Sequence, residues 1–350
     1  MSTPTSVFHS TVHTVHSPER TTALHHWLAQ VQPNSTAAHL INIAGDASSR
    51  RYFRLQSQDQ SHIVIDAPPA TTNNANFIRM ATALRHIGLN TPTIISSDLT
   101  QGFLLISDLG QQHYLDQLTP VTVDRLYGDA LAALIVLQAA GPMEELPHYD
   151  AALLQRELTI FLDWLVTAWL QYPLTTAQHQ LFNEVSTVLI ASALEQPQVC
   201  VHRDYHSRNL MVTSTANPGI LDFQDAVVGP VTYDLMSLLR DCYIAWPTIH
   251  VEEWAWGYFN LAVQSGIVRP QHETKWWQWC DLMGMQRHLK AAGIFARLAI
   301  RDGKRGYLIH IPRTLNYVTT VATHYPSLIT FGQWLQDELL PRINAALRVA

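Results

Sequence analysis

Apolar and polar positions along the chain fall into two regimes. Up to about Asp108 they alternate in short runs. "RYFRL" and "HIVID" read as strands, with "QSQDQS" as the polar turn between them and "AGDASS" opening the first. "TIISSDL" and "GFLLISDL" read as a second pair of strands. One helical stretch is inserted, "NFIRMATALRHIGL", with Phe77, Ala81, Leu84 and Ile87 near one face. A short helix precedes them in "SPERTTALHHWLAQ", with Ser17 as N-cap and Pro18 at its first position. After Gly110 the period becomes helical, over Val123–Ala139, Ala151–Leu170, Ala177–Leu194, Val231–Ile244, Glu252–Ser265 and Lys275–Ile300. Val199–Phe223 is the exception, with short apolar runs flanking polar turns. The pattern predicts an α+β chain: a small β-rich N-terminal lobe over 1–108, a hinge near Asp108–Gly110, and a large, mainly helical lobe over 109–350. Ligands favour a cleft between two such lobes.

Composition narrows the classes. With 350 residues, 47% hydrophobic and 14% charged, the chain has ample material for a packed core. A net charge of −6 argues against a general nucleic-acid binder. Cys200, Cys242 and Cys280 are odd in number and far apart, which suits a reducing compartment and neither a disulfide framework nor a zinc site. No signal-peptide core and no membrane-length apolar run is visible, so a cytoplasmic monomer without membrane attachment is expected. His9, His13 and His16 read as part of a frayed tail.

The chemistry concentrates in "VCVHRDYHSRNLMV". His202, Asp204 and Asn209 fit H-x-D-x-x-x-x-N, and Asp222 follows 13 residues after Asn209, at the end of the apolar run in "GILDFQDA". Phosphoryl transfer needs a carboxylate to orient and deprotonate the acceptor hydroxyl, and hard oxygen ligands for the Mg²⁺ on the nucleotide phosphates. Asp204 suits the base. Asn209 and Asp222 suit the metal, brought together if a strand–turn–strand folds Asn209 back beside Asp222. A polar surface hairpin would explain one Asp and one Asn, but not these offsets with apolar strands around each. His202 reads as a brace of the loop.

His206 after the base, "DFQDA" and "GPVTYDLMSLL" are similar to the aminoglycoside phosphotransferase superfamily of small-molecule kinases. The resemblance implies a protein-kinase-like bilobal fold, ATP and Mg²⁺ as cofactors, and Asp234 bracing the catalytic loop from a following helix. Asp225 also matches a family position, as a turn cap or a direct participant. "GDASSRRYFRL", "IVIDAPP", "GFLLISDLG", "HRDYHSRNLM", "LLRDCY" and "QRHLKAAGIFARLAIRDGK" followed by "IPRTLNYV" resemble one branch, the bacterial anomeric kinases of N-acetylmuramate and N-acetylglucosamine. These matches run in order from Gly45 to Val318. They imply ATP-dependent phosphorylation of the C1 hydroxyl of an amino sugar in cell-wall recycling.

One departure stands out. Kinase-like folds hold the nucleotide phosphates with a strand lysine, yet the only lysines are Lys275, Lys290 and Lys304, none in the first lobe. The expected position falls near Asp66. A swap of partners would restore the charge: Arg51 or Arg54 reaches the phosphates and Asp66 orients it, since arginine suits bidentate phosphate contact. Solvated strand charges are the alternative. Ser48 and Ser49 of "GDASS" are candidate phosphate donors, and the backbone of Ser107, Asp108 and Leu109 is a candidate adenine site.

On the acceptor side, His206, Arg208, Arg240, Asp241 and Arg287 are candidate contacts. Gly284–Arg313 holds seven basic residues and one acid, Asp302. With Lys290, Arg297 and Arg301 near one helix face, this suits an anionic or carbohydrate acceptor better than a polycationic aminoglycoside, or is a solvated face. Six of the ten tryptophans lie between Trp246 and Trp279, for sugar stacking or plain core packing. Another small hydroxylated acceptor, or a nucleotide-binding pseudokinase, are the competing readings. The pseudokinase predicts decay at Asp204, Asn209 or Asp222, and all three are present.

Overall fold

The structure is a computed structural model that describes residues 18–32, 40–43, 50–56 and 60–349. It divides into two compact units. The first takes the described residues up to 75 together with 94–108, and the second takes 76–93 and 109 onward.

The first unit is an antiparallel sheet of β1 (Leu40–Ile43), β2 (Arg51–Gln56), β3 (Ser61–Asp66), β4 (Ile94–Asp98) and β5 (Phe103–Ser107), in the order β1-β2-β3-β5-β4. The four expected strands are present. β1 was not expected, because "LINI" is too short to show a period. Helix α1 (Pro18–Val31) lies on one face of the sheet, where Leu24, Trp27 and Leu28 pack against Leu55, Val64, Phe103 and Leu105. Burying such side chains contributes roughly 1.5–3 kcal/mol each. Arg20, one turn before Leu24, is carried onto the same face and lies over the Phe103 ring.

Helix α2 (Asn74–His86) leads into the second unit, which contains α3 (Tyr114–Gln117), α4 (Val123–Ala140), α5 (Ala151–Ile160) and α6 (Thr176–Leu194). Strands β6 (Gln198–Val201), β7 (Leu210–Met211), β8 (Gly219–Ile220) and β9 (Val227–Pro230) follow, then α7 (Thr232–Leu239), α8 (Thr248–Gln264), α9 (Glu273–Arg301), α10 (Ile311–Ala322), α11 (Ile329–Trp334) and α12 (Leu340–Val349). α9 is the central element: every residue from Asp281 to Lys290 is buried. Among the described residues no helix is long and apolar enough to cross a membrane.

Two differences from the sequence expectation shape the site. The stretch expected as one helix over 151–170 begins at the Asp150 cap, which accepts from Leu153 N, and widens into π-helical turns over Phe161–Trp169. α9 crosses this junction so closely that a Cβ on Gly293 would stand 2.5 Å from the Ile160 carbonyl oxygen. The helix expected over 231–244 stops at Leu239. The Asp241 carboxylate captures the amides of Ser207 and Tyr243 and draws the chain out of the helix.

Candidate active site

Two small antiparallel pairs build the catalytic loop of the second unit. β6 pairs with β9 and delivers the chain to His202. β7 pairs with β8, Leu210 opposite Ile220, so Asn209 lies beside the segment ending at Asp222. The Leu221 amide donates to the Asn209 carbonyl at 2.9 Å, closing the expected strand–turn–strand. Arg203 and Asp222 both take left-handed backbone, with φ of 78° and 63°. Such a conformation costs a non-glycine residue roughly 1–3 kcal/mol and persists only where surrounding bonds impose it.

At Arg203 those bonds are visible. Asp234, fully buried in α7, accepts from the amides of His202 (2.6 Å) and Arg203 (3.0 Å). Burial pushes its carboxyl up to about 7, against the pull of the two N–H donors and of Arg287. His202 bonds through Nε2 to the Leu221 carbonyl at 2.8 Å. Burial lowers it to about 4, so it stays neutral, a brace tying both arms of the loop. Asp241 accepts from Ser207 N at 2.9 Å and Oγ at 2.6 Å. The loop is thus pinned from both ends of α7.

Asp204 lines a pocket of about 90 Å³ with His206, Tyr233, Ser237, Tyr243, Arg287, Lys290 and the apolar wall of Ala291, Ile294 and Phe295. Burial raises the Asp204 carboxyl, but Lys290, His206 and Arg203 outweigh it and hold it below the ordinary range. Lys290 belongs to a buried network. Glu157 of α5 takes Lys290 at 3.0 Å and Arg203 at 2.5 Å, as well as the Tyr149 hydroxyl, while Lys290 also donates to Tyr233 Oη at 3.0 Å.

Asn209 Nδ2 donates to the Asp204 carbonyl at 3.0 Å, which leaves its Oδ1 as the oxygen for a metal. Asp222 accepts from Gln224 Nε2 at 2.7 Å. Its carboxyl is raised by close packing of protein and then by Asp204 and Asp225. Among the described residues no cluster of three or more His, Cys, Asp or Glu is arranged for a metal. The donors present are one amide oxygen and one carboxylate beside other negative charge, which fits Mg²⁺, a cation that draws its other ligands from phosphate and water.

Other candidates fall elsewhere. Arg208 stacks over Tyr243 and Tyr307. Arg240 is buried in an ion pair with Asp281 at 2.7 Å and lies over Trp277. Neither they nor Asp241 line the pocket. The expected basic face divides: Lys290 points inward to Glu157, Arg297 is half-buried, and Arg301 is exposed with Asp302. None of the six clustered tryptophans lines the pocket. Trp246, Trp254, Trp276 and Trp279 donate their N–H groups to Tyr127, Asp124, Ala255 and Glu195 as packing residues.

In the first unit Arg51 and Asp66 stand opposite each other in the β2–β3 register. Asp66 is buried and accepts from Arg51 Nε at 2.8 Å and from Arg20 Nε at 2.7 Å. Arg20 was missed. Its signal was an arginine one turn before the apolar stripe of α1. Arg54 is taken by Asp108, Nε to Oδ2 at 2.6 Å, and Ser61 Oγ also donates to Asp108. Ser107 and Leu109 are half-buried. Ser48 and Ser49, like Ser17 and the early histidines, lie outside the described residues.

Residues 39–264 match the model of a phosphotransferase enzyme family. The chain is 45% identical over 298 residues to an N-acetylmuramate/N-acetylglucosamine kinase of Pseudomonas aeruginosa, covering 85% of this chain and 88% of that one. In structure it is similar to a choline kinase of Streptococcus pneumoniae, with a TM-score of 0.60 at 11% identity over 87% of this chain and 99% of that one. It is also similar to an ADP-bound aminoglycoside phosphotransferase, with a TM-score of 0.55 at 12% identity over 86% and 98%. The sheet and helical units therefore make up the α+β, protein-kinase-like fold expected from the sequence.

Proposed function

Because the chain belongs to the phosphotransferase enzyme family, we propose that it transfers the γ-phosphoryl group of ATP to the C1 hydroxyl of N-acetylmuramate or N-acetylglucosamine, giving the sugar 1-phosphate. The observation that carries the proposal is the pocket that presents Asp204 from a loop pinned by Asp234, with the Asn209 backbone bonded to Leu221, the residue before Asp222. The similarity to a kinase named for these two sugars supports the choice of acceptor.

Asp204 accepts a hydrogen bond from the sugar hydroxyl and aims its oxygen at the γ-phosphorus. The new O–P bond forms as the bond to the β–γ bridging oxygen breaks, ADP leaves, and the proton passes to Asp204. A carboxylate held below its ordinary pKa is a weak base, so orientation is the larger part of its work. This suits an anomeric hydroxyl, which is more acidic than an ordinary alcohol. Asn209 Oδ1 and the Asp222 carboxylate are the residues that would hold Mg²⁺, which when bound neutralises charge on the nucleotide phosphates. Arg51, oriented by Asp66 with Arg20 as a second cation on the same carboxylate, takes the phosphate contact that a strand lysine makes elsewhere. Backbone groups of Ser107–Leu109 receive the adenine, and Ser48 and Ser49 add phosphate donors.

ADP release is to be measured with N-acetylmuramate, N-acetylglucosamine, kanamycin, choline and homoserine. Turnover of the two amino sugars, or of one of them, is expected. Turnover of kanamycin or choline with neither amino sugar overturns the proposal.

A further inference from the structure

Three residues that line the Asp204 pocket each carry a buried polar atom with no hydrogen-bond partner among the described residues: Arg287 Nε, Ser237 Oγ and His206 Nδ1. Buried polar atoms are almost always paired, and an exception calls for a reason. Arg287 is the sharpest case. It is 6% exposed, and its one hydrogen bond among the described residues runs from Nη1 to the Met236 carbonyl at 3.4 Å. The neighbouring cations are matched: Arg240 holds Asp281 and Lys290 holds Glu157. Arg287 has no carboxylate at ion-pair distance among the described residues. Asp204, Asp234 and Asp241 act on it only at longer range. A guanidinium cannot shed its proton to escape burial, so its charge asks for an anion.

The three atoms also agree in chemistry. A guanidinium N–H, a hydroxyl and an imidazole in its Nδ1–H tautomer are all donors, and their common complement is a group that only accepts, with negative charge. Asp204 lines the same pocket, so one ligand can offer a hydroxyl to Asp204 and such a group to these donors. We infer that Arg287, with Ser237 and His206 beside it, receives a carboxylate carried by the acceptor, and so sets the preference for an acidic sugar over its neutral counterpart. Of the two proposed acceptors, N-acetylmuramate carries that carboxylate on its lactyl arm and N-acetylglucosamine has none. The inference rests on the sugar-kinase reading and assigns specificity within it. A charge-assisted bond to a carboxylate is worth roughly 1.5–3 kcal/mol, or about ten- to a hundredfold in kcat/KM.

The test compares kcat/KM for the two sugars in the full chain and in Arg287→Gln, and adds a chemical variant, N-acetylmuramate with its carboxylate converted to the neutral carboxamide. The ratio of N-acetylmuramate to N-acetylglucosamine is expected to fall at least tenfold in Arg287→Gln. The carboxamide is expected to lose a similar factor with the unaltered protein. Ser237→Ala should lower the ratio in the same direction by less. An equal loss on both sugars assigns Arg287 to the phosphoryl group or to packing and overturns the inference. A carboxamide handled as well as the acid overturns it too, whether or not the variants fold. Turnover of N-acetylglucosamine alone removes the carboxylate site and leaves the kinase reading standing, whereas inactivity on both sugars removes that reading itself.

Discussion

In the proposed reaction, position matters more than basicity at Asp204. Its carboxyl sits below the ordinary range because Lys290, His206 and Arg203 outweigh its burial. Its direction is fixed through the strained Arg203 by the two amide bonds to Asp234. Asp204→Asn is expected to lower turnover by about 10²–10⁴, with ATP affinity measured by calorimetry little changed. Near-normal turnover would remove Asp204 from the reaction. The spacing of His202, Asp204, Asn209 and Asp222 was legible because one short loop carries the first three and a strand–turn–strand brings the chain back to Asp222. The Arg51–Asp66 pair was half legible. The sequence offered Arg51 and Arg54 equally as the phosphate contact, and the structure pairs Arg51 with Asp66 in the register and Arg54 with Asp108. Arg51→Ala should raise the KM for ATP about tenfold or more, and Arg54→Ala by clearly less. The same KM in both variants as in the parent would put the phosphates elsewhere.

Among the elements, α9 contributes most to the Asp204 pocket, with Arg287, Lys290, Ala291, Ile294 and Phe295. Its length was readable from its period and its basic stretch suggested an acceptor-facing role, but which of its charges turn inward was not readable. A segment buried on all sides has no polar face to mark it. Its charges, Arg287 and Lys290, look like surface residues until Glu157 and the pocket are seen. Its close approach to the junction of α5 and the π-helical turns rests on Gly293. Gly293→Ala drives a methyl group against the Ile160 backbone, which cannot swing aside as a side chain would. The expected cost is about 1–3 kcal/mol, or a Tm lower by several degrees. An unchanged Tm would mean that the helices separate freely. His288, also on α9, stacks on Tyr317 and bonds to the Arg240 carbonyl at 2.8 Å. Burial, then Arg287, pushes it down to about 3. The unfolded chain binds this proton near pH 6.5 and the folded one does not until about 3. The stability it contributes is therefore complete above pH 6.5 and lost as the pH falls from there. Urea midpoints of parent and His288→Gln should converge between pH 6.5 and 4. His202, equally buried and present in both proteins, cancels in the difference, and a gap that stays constant would contradict the assignment.

For the whole molecule, the change from short alternating runs to helical periods near Gly110 was legible in the sequence, whereas the grouping of 76–93 with 109 onward was not, and the structural relatives share the fold. What stayed hidden depended on distance in the chain. β1 is four residues long, and Arg20 meets Asp66 across 46 positions. Arg287, already a candidate acceptor contact from the sequence, is set apart by having no carboxylate at ion-pair distance among the described residues. The chemical claim that joins these parts is where the phosphate ends up. The product formed from ATP and N-acetylmuramate, and in parallel from N-acetylglucosamine, should be analysed by phosphorus NMR together with a reducing-end assay. A phosphate coupled to the anomeric proton and a sugar that no longer reduces are expected. A phosphate on another hydroxyl, with the reducing end intact, would contradict the claim.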